Sequence, residues 1–126
     1  MSQADLCRIY LQALNEGNLE NVLSLFVPGA VVSSPLYGIK SVEDFYRELF
    51  DDTNQSTTTL LNVFSSNAKT VALHFHYKWR MKNEEVVNFE CVDVFKLNSD
   101  GNKFEKITII YDTHPLRAAF DDVKMS

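Results

Sequence analysis

Between Leu73 and Lys82 the chain alternates without a break: Leu73, Phe75, Tyr77, Trp79 and Met81 are apolar, while His74, His76, Lys78, Arg80 and Lys82 are polar. Successive side chains of a β-strand point to opposite faces, so this run specifies a strand with one face in a core and the other in water. The inward face carries two aromatic residues and a tryptophan in a row. Such a face has to be covered, and the cover must come from elsewhere in the chain.

Three more β-rich runs accompany it. Together they span roughly 56–65, 69–82, 85–98 and 103–114, punctuated by Ser66-Asn67, Asn83-Glu84 and Asp100-Gly101. In the third run Phe89, Cys91, Asp93 and Phe95 share one parity, and in the last Ile107, Ile109 and Tyr111 do. The cover lies upstream. Leu6, Tyr10, Ala13 and Leu14 recur at helical spacing after Ser2, with Asp5 at the capping-box position and Gly17 closing the helix. Asn18 can cap a shorter helix with Leu19, Val22, Leu23 and Phe26 on one side, stopped by Pro28-Gly29. A short strand at 30–33 and a turn at Pro35-Leu36-Tyr37-Gly38 follow. Ser41 then caps a third helix with the stripe Val42, Phe45, Tyr46 and Leu49 and with Asp44 as capping-box partner. Helices first and a meander afterwards predict an α+β fold.

A length of 126 residues with 45% hydrophobic and 23% charged residues suits one core. With no repeat or linker composition, the expectation is one domain over 1–115 and a flexible or short helical tail over 116–126. The net charge of −5 argues against a nucleic-acid partner, which needs a basic surface. No basic leader or membrane-length apolar run is present, so no membrane partner is expected. Cys7 and Cys91 lack metal or redox spacing and read as two reduced thiols of a cytoplasmic protein, with a disulfide between them left open.

Asp93 is the residue that breaks the pattern. An unpaired carboxylate in an apolar row costs several kcal/mol, on the order of that for a buried polar group or more, so Asp93 must find a hydrogen-bond partner or keep its proton. Either outcome is compatible with a structural acid or with a functional one.

With these elements in order, the chain resembles the ketosteroid isomerase branch of the nuclear transport factor 2 (SnoaL-like) superfamily from Leu6 to about Tyr111. Arg8-Ile9-Tyr10-Leu11 through Asn15-Glu16-Gly17-Asn18 resembles the family's first helix and turn, with Tyr10 at the oxyanion-hole tyrosine. Val92-Asp93-Val94-Phe95 and Asn98-Ser99-Asp100-Gly101 resemble the strand and turn that carry the oxyanion-hole aspartic acid, and Gly38 with Phe45-Tyr46-Arg47 matches the third helix. The resemblance implies a cone-shaped barrel, three N-terminal helices packed on a strongly curved, mainly antiparallel sheet. It implies a pocket walled by Leu14, Ser34, Phe45, Phe75, Tyr77, Trp79, Met81, Phe89, Cys91, Ile107, Ile109 and Tyr111. In such enzymes a carboxylate removes a proton beside a ketone, while a tyrosine and a neutral aspartic acid hold the enolate. Here Ser34-Pro35 occupies the place of the family's Asp-Pro motif, and a serine needs a base of its own.

Three functions follow as expectations: a binder of a small hydrophobic ketone or phenol, an isomerase or dehydratase with a relocated base, and a protein-interaction module. A homodimer through the outer sheet face, with Val92 and Val94 among Asn88, Glu90 and Lys96, accompanies the resemblance. No cofactor or metal is expected. His74 and His76 share the wet face with Lys78 and Arg80, whose charge opposes a cation. Asp112 and His114 are rim candidates for a relocated base, and Cys91 reads as packing.

Overall fold

In the computed structural model, which describes residues 2–125, the first capping signal acts as its chemistry dictates. Helix α1 (Gln3–Glu16) starts where the Ser2 hydroxyl accepts the Asp5 amide at 3.1 Å and the Asp5 carboxylate accepts the Ser2 amide at 3.1 Å. It ends at Gly17, whose left-handed φ of 64° turns the chain so that the amides of Gly17 and Asn18 reach the carbonyls of Leu14 and Ala13. Its inward side buries Leu6, Cys7, Tyr10, Ala13 and Leu14.

Helix α2 (Leu19–Leu23) is capped by Asn18 and is shorter than its sequence predicts. Phe26, expected on that helix, instead opens strand β1 (Phe26–Ser34). Packing decides this: the Phe26 ring lies 5.4–6.5 Å from those of Tyr46, Phe95 and Phe104, and the Phe104 amide donates to the Leu25 carbonyl at 2.8 Å. Pro28-Gly29, expected as a helix stop, falls where the register of β1 shifts between Phe26 and Val31, the place in a strand where a residue without an N–H is tolerated. The segment expected as a plain turn is a hairpin. Strand β2 (Gly38–Ser41) returns along β1 after the three-residue tip Pro35-Leu36-Tyr37, and Gly38 closes the tip with a φ of 80°. Ser41 then caps helix α3 (Val42–Asp51) by accepting the Asp44 amide at 3.2 Å, but the return bond expected from Asp44 as a capping-box partner is not made; the helix buries Val42, Phe45, Tyr46 and Leu49.

Strands β3 (Thr53–Ser65), β4 (Thr70–Met81), β5 (Val86–Leu97) and β6 (Phe104–Ile110) form the antiparallel meander. The six strands run in the order β2-β1-β6-β5-β4-β3, with β1 and β6 parallel. The sheet is curved but unclosed, with β2 and β3 at its edges, so the expected barrel is an open one. On β4 every residue of the predicted inward parity, from Val71 to Met81, is buried. A 3-10 turn (His114–Leu116) leads into helix α4 (Arg117–Met125), and the complete burial of Leu116 and Val123 docks this C-terminal segment on the domain.

Candidate functional site

The register of the central strands assembles the site. Leu73 faces Asp93 and Asp93 faces Ile109, Phe75 faces Cys91, and Tyr77 faces Phe89, so all share one side of the sheet. Helix α1 brings Tyr10 and Leu14 over that side, and α3 brings Phe45 and Leu49. Between them lies a cavity of about 40 Å³, counted as space that the centre of a water-sized molecule can occupy.

Of the residues the sequence points to, Tyr10, Leu14, Ser34, Phe45, Phe75, Tyr77, Trp79, Phe89, Cys91, Asp93, Ile109 and Tyr111 line this cavity. Met81 and Ile107 do not. Both have the right parity and are fully buried, but they sit past the ends of the cavity and pack as core. Tyr37 and Leu49 complete the wall. Leu49 was visible in the apolar stripe of α3, whereas Tyr37 comes from the hairpin tip and had no periodic signal.

Asp93 is the one carboxylate among the described residues that line the cavity, and it is only 2% exposed. Burial raises its pKa from 3.8 to about 7, against the Cys91 thiol and the Tyr10 hydroxyl, which favour the ionised form. The Cys91 thiol donates to the Asp93 carboxylate at 3.1 Å. Burial, then the Asp93 charge, push that thiol far above the ordinary range, which leaves it a neutral donor rather than a nucleophile. Cys7 is likewise buried with a free thiol, pushed to about 12 by burial and then by Asp93.

The Tyr10 hydroxyl shares a 2.8 Å hydrogen bond with that of Tyr46, a buried partner that the sequence reading did not assign to it. Burial raises the pKa of both well above that of free tyrosine. Tyr77 pairs with Ser56 at 2.7 Å, and Trp79 donates its indole N–H to Thr53 at 2.7 Å. Burial also raises Tyr37, Tyr77 and Tyr111, so the cavity's phenols stay protonated at neutral pH. Asp93 alone among these lining groups changes charge near neutrality.

Ser34 is buried, and its hydroxyl accepts the Tyr37 amide at 3.4 Å and lies by the Tyr111 hydroxyl. Neither partner is a base that activates a serine. The rim candidates are outside the cavity: Asp112 is exposed and accepts the His114 amide at 3.0 Å. On the outer face His74 lies 3.3 Å from Glu90 and 3.2 Å from Asn62. Among the described residues there is no group of three or more side chains placed to hold a metal ion, and no helix is long and apolar enough to cross a membrane.

A family model described as SnoaL-like domain matches residues 8–107. No curated protein matches the sequence significantly. Among solved structures, PrhC from Penicillium brasilianum is 13% identical with a TM-score of 0.82, over 97% of this chain and 87% of that one. A protein with a ketosteroid isomerase-like fold from Catenulispora acidiphila, solved with trimethylamine, is 9% identical with a TM-score of 0.80, over 93% and 92%. A candidate SnoaL-like polyketide cyclase from Shewanella denitrificans is 12% identical with a TM-score of 0.75, over 94% and 96%. At these identities the likeness is one of fold.

Proposed function

This chain belongs to the SnoaL-like family of the ketosteroid isomerase and nuclear transport factor 2 superfamily, and we propose that it binds a small, mainly apolar ketone or phenol whose oxygen is held by Asp93 and Tyr10. The observation that carries this reading is Asp93: a carboxyl buried in an aromatic cavity and shifted to about 7. Below that pH it keeps its proton and can donate to a ligand oxygen, and in a site with so apolar a lining the bond counts for more than it would in solution. Tyr10 supplies a second donor, polarised by its bond to Tyr46.

A second reading rests on the same shift. A group that titrates near 7 is matched to general acid-base work, so Asp93 can itself serve as the relocated base of an isomerase or dehydratase, a role that Ser34 has no partner to fill.

Titration with 4-methylphenol and cyclohexenone, followed by the fluorescence of Trp79, tests the binding function. Saturable binding weakened tenfold or more by Asp93→Ala supports it; unchanged affinity in that variant removes it. Turnover of a β,γ-unsaturated ketone that disappears in Asp93→Asn selects the enzyme over the binder.

A further inference from the structure

The cavity is too small for the ligands its walls suit. Its volume of about 40 Å³ accommodates about three waters at roughly 10–15 Å³ each, whereas an apolar cavity that takes up benzene measures about 150 Å³. One planar ring therefore requires part of the wall to move. Phe75, Tyr77 and Trp79 stand on β4, which is hydrogen-bonded on both sides, and Asp93 stands on β5, which is as well. Those ladders fix their backbones, so these residues can yield only by side-chain rotation within a packed wall. Tyr10 lies within the fourteen-residue helix α1. Tyr37 is different: it sits at the tip of the β1–β2 hairpin, outside the sheet ladders, and apart from its amide's 3.4 Å bond to the Ser34 hydroxyl it is held by its side chain.

What holds it is an ionic clasp from the C-terminal helix. The Tyr37 hydroxyl donates to Asp52 at 2.8 Å. Its ring packs edge-on between Phe45, at 5.3 Å, and Phe120 of α4, at 5.1 Å. Lys124 of α4 places its ammonium 5.1 Å from the centre of the same ring and 2.6 Å from carboxylate oxygens of both Asp52 and Glu48. Lys82, at 3.9 Å from Asp52, and Lys40, paired with Glu48, complete the cluster. Asp52 is nearly inaccessible, while Lys124 and Glu48 are about one-third exposed, so the clasp is partly reached by water and can open locally without the sheet unfolding.

We propose that Tyr37 is the gate of the cavity and that Lys124, through Asp52 and Glu48, clasps it shut. Opening swings the ring out together with α4 and joins its volume to the cavity. The proposal depends on the ligand reading only for what enters; the gate itself is open to a neutral probe.

Acrylamide quenching of Trp79 is that probe, because Trp79 lines the cavity, is 3% exposed and is the only tryptophan. Wild type should quench weakly. Lys124→Met should raise the quenching constant at least threefold and speed 4-methylphenol association at least tenfold, and Lys124→Arg should restore the wild-type values. Val22→Ala, a core change remote from the clasp, supplies a control of lowered stability and should leave quenching low. Strong quenching in wild type, no rise in Lys124→Met, or an equal rise in Val22→Ala each overturns the gate, even if the phenol binds. A rise confined to Lys124→Met with no phenol bound upholds the gate and removes the ligand reading instead.

Discussion

Replacing Asp93 with asparagine should make the protein more stable at pH 8 and should abolish most of the difference between its stability in mild acid and in mild base. Below about pH 3.8 the carboxyl holds its proton in both the folded and the unfolded chain, and no pH dependence arises from it. Between 3.8 and about 7 only the folded chain keeps the proton, so each step upward in pH favours the unfolded chain. Above about 7 both are ionised and the loss is complete. At about 1.36 kcal/mol per pH unit this interval corresponds to a loss of about 4 kcal/mol. Asparagine preserves the shape and can still accept from Cys91 and Tyr10, but it never ionises. Urea melts of wild type and Asp93→Asn at intervals from pH 4 to 8 give the comparison. Other shifted groups, such as Glu48, lowered through Lys124 and Lys40 against its burial, are common to both proteins and cancel in the difference. The gap between the curves should move in favour of the variant by about 4 kcal/mol as pH rises. Curves that stay parallel within about 1 kcal/mol would show that Asp93 is not desolvated in the folded protein.

Tyr46→Phe removes the partner of Tyr10 and leaves a buried hydroxyl with one bond fewer; a loss of about 1–3 kcal/mol in chemical denaturation is expected. Leu116→Ala empties a fully buried site under the C-terminal helix and should cost about 2–5 kcal/mol in the same assay, whereas a loose tail would make the change silent. On the outer sheet face Ile110 is 53% exposed beside the half-buried Val92; if copies pair there, Ile110→Lys should convert a dimer to a monomer in sedimentation at micromolar concentration. Sedimentation of the unaltered protein as a monomer would dispose of that contact.

The strongest periodic signals carried furthest. Alternation along β4 placed each inward residue correctly because the pleat leaves no other choice once one face is buried. Capping at Ser2 and Ser41 was equally local, since donor and acceptor lie within one turn. Phe26 shows where local reasoning stops: its helical spacing is real, yet three aromatic rings and a parallel partner strand outweigh the extra turn of a five-residue helix. Met81 and Ile107 illustrate a second boundary. Parity reports the face of a strand but not its position along the curve of the sheet, and only the curvature decides which inward residues border the cavity. The Tyr10–Tyr46 bond joins residues 36 apart and was foreshadowed only by the inward stripe of α3. The ring of Tyr37 reaches the wall from a hairpin tip, where no periodicity exists to reveal it.

The parallel pairing of β1 with β6 has a consequence for synthesis on the ribosome. The β1–β2 hairpin and the meander from β3 to β5 can each zip between near neighbours as they emerge, but Val32 meets Ile107 only after every other strand of the sheet has been made. Closing so long a loop is slow and comes late. Until then the aromatic inner faces of two separate pieces of sheet stand uncovered, and the nascent chain is at its most vulnerable to aggregation before its last strand slides between them.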